Sequence, residues 1–303
     1  MSHVPRGPLI ILAPPRSFTS VASAMIGGHP QMYGLPEVNL FLTETMAERE
    51  GVVAEMPLLD HGLLRTVAQL YTGAQNVRTV ALAKKWINAR YSASCVPVFR
   101  ELMVKINPQR AVDKSMTTVL SCERLQRAHR AFPDARFLHL LRHPLAQGES
   151  LWRGGGQIAA DWLGALDHST DPPTVDYQKS WYSIHLNILT LLSGLPKSQY
   201  MRLQGEALLA HPDPYLKGIA GWMGLRVDAQ AIEAMKHPEL SPYAFLGPPN
   251  ALFGNDPKFL LNPALRNGSG PKALSLEGPL PWRDDGVGFS EEVKQLAREF
   301  GYH

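Results

Sequence analysis

The sequence predicts an α/β fold with a central parallel sheet flanked by helices, and three observations carry that expectation. Leu9–Leu12 and Arg136–Leu141 are short, mainly apolar runs that do not alternate with polar residues, the pattern of strands buried on both faces. Long stretches with helical patterning separate them, so the strands are expected to be joined by right-handed crossovers rather than hairpins. Each run also ends in a turn carrying Arg and hydroxyl residues, and in such sheets ligands bind at the carboxyl ends of strands.

Taken in chain order, the first strand is Leu9-Ile10-Ile11-Leu12, stopped by Pro14 and Pro15. After Arg16 comes Ser17-Phe18-Thr19-Ser20, then a segment that Val21, Met25 and the small residues between them allow to be helical as far as Gly27 and Gly28. Helices are predicted over Leu63–Tyr71, Val80–Arg90 and Val96–Val104. In "AVDKSMTT" a short strand ends at Lys114, and the next helix is predicted over Thr118–Phe132. The strand Arg136–Leu141 is followed by a helix that begins near Pro144, since Pro suits the first helical position. The remaining predicted elements are a helix over Tyr177–Leu192, a strand over Gln199–Leu203, and helices over Pro214–Met223 and Glu291–Phe300. Two Gly- and Pro-rich stretches, Gly154–Asp176 and His237–Pro257, are expected to be irregular.

The two Arg-bearing turns suit a ligand with anionic groups at both ends, such as a nucleotide. At the first, a helix start offers unpaired backbone N–H groups and a positive dipole end beside Arg16 and three hydroxyls. Read alone, the same turn also fits an ordinary strand-to-helix junction capped by Ser or Thr. At the second, Arg142 and Ser150 are eight positions apart, about two helical turns, so both can face one anion. An Arg at a strand end is, by itself, equally a solvated surface charge. The chain has no GxxxxGK[ST] loop and no GxGxxG after a strand, which disfavours an ordinary ATP or dinucleotide site.

Together "PRSFTS" and "RHPLAQGES" resemble the sulfotransferases that use 3′-phosphoadenosine 5′-phosphosulfate (PAPS). The resemblance implies a P-loop-like α/β fold with PAPS as co-substrate and no metal. It also implies that Arg16, Ser17, Phe18, Thr19 and Ser20 form the 5′-phosphosulfate site and that Arg142 and Ser150 hold the 3′-phosphate. Phe18 departs from the family's Gly, and its ring is free to point outward and line the acceptor pocket. "HPQMYGLPEVNLF" resembles the segment that carries a catalytic glutamate, and Glu37, 21 positions after Arg16, has the offset of the tyrosylprotein branch. Lys114 resembles that branch's active-site lysine, so the implied catalytic set is Glu37, Lys114 and Arg16. Without the family, Glu37 and Lys114 read as a loop carboxylate and a solvated lysine. "GEALLAHP" is similar to the family's YEDLLxxP turn, with Glu206 matching and Gly205 in place of the aromatic. "LPWRDDGVGFSEEVKQLAREFGY" is similar to the tail of bacterial members associated with small metabolites and polyketides.

The implied reaction is sulfuryl transfer to a hydroxyl of a small, partly apolar metabolite. Within the class, a protein tyrosine acceptor is the alternative; an ATP-dependent kinase on a related scaffold, or a nucleotide-binding protein without catalysis, are alternatives outside it. If Glu37 were not the base, His143 is the next candidate. Trp162, Tyr243, Phe245 and Phe253, in the two irregular stretches, are the expected contacts to an apolar acceptor.

Composition narrows the field further. A chain of 303 residues, 45% hydrophobic and without a linker-like segment, reads as one domain over residues 1–303. Its net charge of +3, from 30 basic and 27 acidic residues dispersed along the chain, gives no nucleic-acid footprint. Cys95 and Cys122 have no paired spacing and are expected to be core thiols, and the 11 histidines show no metal-ligand spacing. The apolar run at Leu9 is too short for a signal peptide or a bilayer span, so a cytoplasmic protein without membrane contact is expected. The oligomeric state is left open.

Overall fold

The computed structural model describes residues 6–265 and 274–303. In chain order the elements are β1 (Leu9–Leu12), α1 (Thr19–Gly27), β2 (Met32–Gly34), α2 (Met46–Glu55), α3 (His61–Thr72), α4 (Val77–Asn88), α5 (Cys95–Ile106) and β3 (Arg110–Asp113). They continue with α6 (Cys122–Ala131), β4 (Arg136–Leu141), α7 (Pro144–Trp152), β5 (Leu166–Asp167), β6 (Thr174–Val175), α8 (Tyr177–Ser193) and β7 (Tyr200–Gln204). Last come α9 (Gly205–Ala210), α10 (Pro212–Met223), α11 (Ala229–Ala234), α12 (Pro257–Leu261) and α13 (Glu291–Glu299).

Five strands form one parallel sheet in the order β2-β3-β1-β4-β7, so the first strand of the chain lies at its centre. The apolar run of β1 has the reason expected of it. Ile10 and Leu12 pack into the cluster of Phe41, Phe99 and Phe137, whereas Leu9 and Ile11 pack on the other face with Met25 and Leu138. All four are at most 2% exposed, so no position on this strand tolerates a polar side chain. Because every strand of this sheet runs the same way, the chain leaves β1, β3, β4 and β7 along one edge. Arg16, Lys114, Arg142 and Gly205 all lie just beyond that edge.

Most predicted helices are present with ends shifted by a few residues. The one predicted over Thr118–Phe132 is broken: a 3-10 turn spans Met116–Leu120, and the Ser121 hydroxyl accepts from the Arg124 N–H to start α6 afresh. Five further elements escaped the sequence reading, β2, α2, α9, α11 and α12, each short or weakly apolar. The Thr45–Glu48 capping box that opens α2 was a local signal for it. The stretch Gly154–Asp176 is not wholly irregular either, because β5 and β6 pair as a small antiparallel hairpin within it. Cys95 is buried as expected, but Cys122 is half-exposed at the start of α6 with its thiol on Asn187, so it is not a core residue. No helix among the described residues is long and apolar enough to cross a membrane.

Candidate active site

The loop after β1 is built from two left-handed residues, Arg16 at φ 69° and Phe18 at φ 62°. For residues other than Gly that conformation costs about 1–2 kcal/mol each, so the surroundings must hold it. Gln147 on α7 donates to the Pro15 carbonyl at 2.9 Å, and Arg142 Nη1 donates to the Arg16 carbonyl. The Phe18 ring lies 4.4 Å below the Arg142 guanidinium. Its neighbour Ser17 has a buried hydroxyl with no partner among the described residues. The first turn of α1 follows at once, with N–H groups that have no intrahelical acceptor.

A cavity of about 580 Å³ opens here. Arg16, Thr19, Ser20, Arg142 and Ser150 give it a polar wall, and Leu209, Phe259 and Leu265 contribute apolar surface. Arg16 Nε donates to Ser150 Oγ at 3.1 Å, and its Nη1 pairs with the Asp256 carboxylate. Arg142 Nε is buried without a partner among the described residues, and burial lowers the Arg142 pKa while the Glu206 charge opposes that shift. Two guanidiniums, the hydroxyls of Thr19 and Ser20 and a helix start therefore converge on one cavity, a donor set that fits a polyanion. Arg142 and Ser150 share this cavity, yet the Ser150 hydroxyl is held by Arg16.

Lys114 and Glu37 meet behind Ser20. The Lys114 ammonium, 1% exposed, donates to Glu37 Oε1 at 2.8 Å and to Ser20 Oγ at 3.1 Å. Lys114 is therefore a buried, paired cation rather than a solvated one. Glu37 is half-buried and its loop is pinned from several sides. Its N–H donates to the Gly254 carbonyl at 2.8 Å, and Gly62 at the start of α3 packs so tightly that a Cβ there would strike the Glu37 carbonyl. Asn39, left-handed at φ 52°, donates to the carbonyls of Glu37 and Leu59, and its own N–H is bonded to Ser115 Oγ. Ser115 Oγ in turn donates to Asp113 Oδ1, whose carboxyl burial pushes up to about 6 against the Ser115 hydrogen bonds.

The chain from Pro8 or nearby to beyond α10 carries a recognisable pattern: the model of the sulfotransferase family matches residues 8–229. This chain belongs to the sulfotransferase family. Of the residues of this site described above, the match includes all except Gly254, Asp256, Phe259 and Leu265. Among solved structures, this sulfotransferase is similar to the sulfotransferase domain of the Synechococcus PCC 7002 olefin synthase, with 23% identity, a TM-score of 0.75, and 100% and 98% of the two chains covered. It is also similar to the sulfotransferase domain from the curacin biosynthetic pathway, with 21% identity, a TM-score of 0.74, and 100% and 99% covered. Both share its fold over the whole length. No curated protein matches the chain.

Several expectations need correction. Phe18 does line the cavity, but from a fixed place, with its ring between Arg142 and Gly205. His143 does not line the cavity and its Nδ1 accepts from the Leu145 N–H at the start of its own helix, with burial lowering its pKa to about 4. The four aromatics do not line one pocket. Tyr243 is buried against Tyr33, Trp162 packs on Leu42, Val53 and Leu59, Phe245 lies under Arg65, and Phe253 packs near Phe259. Sequence reasoning also missed Asp256, although an Asp before Pro257 whose carboxylate accepts from the Lys258 N–H is an ordinary helix-start signature. It missed Asn39 as well, a residue type that tolerates the left-handed turn found there.

Proposed function

We propose that this sulfotransferase moves the sulfuryl group of PAPS to a hydroxyl of a small, partly apolar metabolite, with residues 1–303 acting as one catalytic unit. The observation that supports it most is the convergence of Arg16, Arg142 and the start of α1 on one cavity, joined through Ser20 to the Lys114–Glu37 pair. In this reading Arg16, Ser17, Phe18, Thr19 and Ser20 hold the 5′ end of the nucleotide and Arg142 and Ser150 its 3′-phosphate. Phe18 contributes by backbone and by its ring beneath Arg142. The apolar surface of Leu209, Phe259 and Leu265 suits uncharged parts of a ligand.

For the chemistry, Glu37 accepts the proton of the acceptor hydroxyl as the new O–S bond forms in line with the S–O bond that breaks. The electron pair of the broken bond leaves on the 5′-phosphate oxygen of 3′,5′-adenosine bisphosphate. Lys114 and Arg16 stabilise the charge that builds on the sulfuryl and bridging oxygens, the kind of fixed positioning that dominates phosphoryl transfer. Lys114 is suited to this because its burial weakens solvent screening.

The test has two arms. Thermal unfolding should shift upward with PAPS or the bisphosphate and less with AMP, since ligands that bind only the folded chain stabilise it. Equal stabilisation by ATP with magnesium and none by the bisphosphate would sink the reading in favour of a kinase. Labelled PAPS with a panel of hydroxylated metabolites and a tyrosine peptide then identifies the acceptor class; label transfer to the peptide alone would replace the small metabolite by a protein tyrosine.

A further inference from the structure

The donor site has a support that the reaction does not account for. The backbone after β4 is gripped from two sides: Trp181 Nε1 donates to the Arg142 carbonyl at 3.0 Å, and the His143 N–H donates to Glu206 Oε1 at 2.9 Å. Glu206 opens α9, and its second oxygen, Oε2, accepts from the Tyr302 hydroxyl at 3.0 Å. Tyr302 lies 96 positions further along the chain. It follows α13, is 8% exposed, and meets the His143 ring edge-on with centroids 5.1 Å apart. Gly301, at φ 82°, turns the chain toward it, the Tyr302 N–H is anchored on the Ala297 carbonyl at 3.0 Å, and Gln204 holds the Phe300 carbonyl.

The electrostatics give this contact a purpose. Arg142 is the cation assigned above to the 3′-phosphate, its Nε is buried with no partner among the described residues, and Glu206 is the opposite charge that acts on it most. A carboxylate free to swing onto that guanidinium would neutralise it and compete with phosphate. In the structure both Glu206 oxygens are occupied, one by the His143 N–H and the other by Tyr302. Burial and the Glu206 charge both raise the Tyr302 phenol well above its ordinary value, so it stays a donor.

We infer that Tyr302 is a positioning residue for the donor nucleotide: by holding Glu206 on the His143 backbone it keeps Arg142 free and so sets the preference for a nucleotide bearing a 3′-phosphate. The inference rests on the donor reading above.

The experiment measures the affinities of 3′,5′-adenosine bisphosphate and AMP by calorimetry on the full chain, for the wild type, Tyr302→Phe and Tyr302→Phe/Glu206→Gln. Phe keeps the ring on His143 and removes only the hydroxyl. The bisphosphate should bind about three- to tenfold more weakly to Tyr302→Phe, the worth of one hydrogen bond, while AMP is unchanged. At saturating PAPS, kcat should stay at the wild-type value while the donor KM rises. The double variant should recover bisphosphate affinity, because Gln carries no charge to compete for Arg142. An unchanged bisphosphate-to-AMP ratio in Tyr302→Phe, equal weakening of both nucleotides, or no recovery in the double variant would each overturn the inference. A wild type that does not distinguish the two nucleotides would overturn the donor reading, and the inference with it.

Discussion

Phe18 and Gly205 occupy one volume between them. A Cβ built on Gly205 would collide with Phe18 Cδ2 and lie 3.2 Å from the Leu141 carbonyl oxygen. The sequence shows a large residue where the family has Gly and a Gly where the family has an aromatic, and the fold explains both at once. The ring of the first-loop residue fills space that the later turn leaves open.

Gly205→Ala should therefore destabilise by about 1–3 kcal/mol, the cost of overpacking, and weaken nucleotide binding through the displaced loop. Exchanging the two positions, Phe18→Gly with Gly205→Phe, should recover part of the loss. Urea midpoints of the three proteins check this. A Gly205→Ala chain as stable as wild type would show that the loop yields freely.

Arg142→Ala should lower affinity for the bisphosphate by about 1.5–3 kcal/mol, the range for a hydrogen bond to a charged group. The fold should survive, because among the described residues the guanidinium hydrogen-bonds only the Arg16 carbonyl and otherwise stacks on the Phe18 ring. Titration calorimetry with circular dichroism separates the two effects, and a folded variant of wild-type affinity rules Arg142 out of the site.

Asp256→Asn tests the ion pair with Arg16. In the described structure the carboxylate sits on the guanidinium that the donor's anionic end would use. Removing its charge should tighten bisphosphate binding several-fold and deepen its salt dependence. Weaker binding would mean that Asp256 orients Arg16 instead of competing for it.

Glu37→Gln keeps shape and hydrogen bonding but cannot take the proton, so turnover should fall by roughly 10²- to 10⁴-fold with donor affinity nearly constant. Lys114→Met should also slow turnover, since its charge matters most in the transition state. Near-normal rates in Glu37→Gln with an accepted hydroxyl substrate would remove it as the base.

Acid should destabilise the fold. Burial lowers the pKa of His139, of His143 to about 4 and of His185 to about 3, so the unfolded chain, with histidines near 6.5, binds more protons as pH falls below that value. Stability from these groups is complete above about pH 6.5 and is lost on acidification. Asp113, raised to about 6, works the other way, because the native state then holds the extra proton between about pH 6 and 4. Three groups against one leave a net fall from pH 7 to 5. Urea midpoints that stay level across that range would contradict the assignment of neutral, buried imidazoles.

The parts of this molecule that could be read from sequence are those with local causes. Leu9–Leu12 announces a doubly buried strand by composition, and Arg16, Lys114 and Arg142 are legible because each lies just beyond a strand end. The helix over Thr118–Phe132 was misread because Ser121 caps a new helix inside a continuous periodic stretch. Asp256 and Tyr302 could not be found in the same way. The Asp256 N–H bonds Ser20 across 236 positions and Tyr302 reaches Glu206 across 96, and nothing in the residues beside them marks those encounters. The Phe18 conformation was likewise opaque, since its left-handed backbone depends on Arg142 and Gly205 holding the ring.

One hydroxyl in the cavity wall has no freedom of sense. Ser20 Oγ has two lone pairs and one hydrogen; it accepts from Lys114 at 3.1 Å and from the Asp256 N–H at 3.0 Å. Both acceptor positions are taken, so only the hydrogen is left for whatever fills the cavity. A ligand group at that spot must bring a lone pair, and an amine or ammonium there would face a donor with nothing to accept it. This wall thus sorts ligands by the direction of a single hydrogen bond, a selection that would persist at salt concentrations high enough to mask the neighbouring guanidiniums.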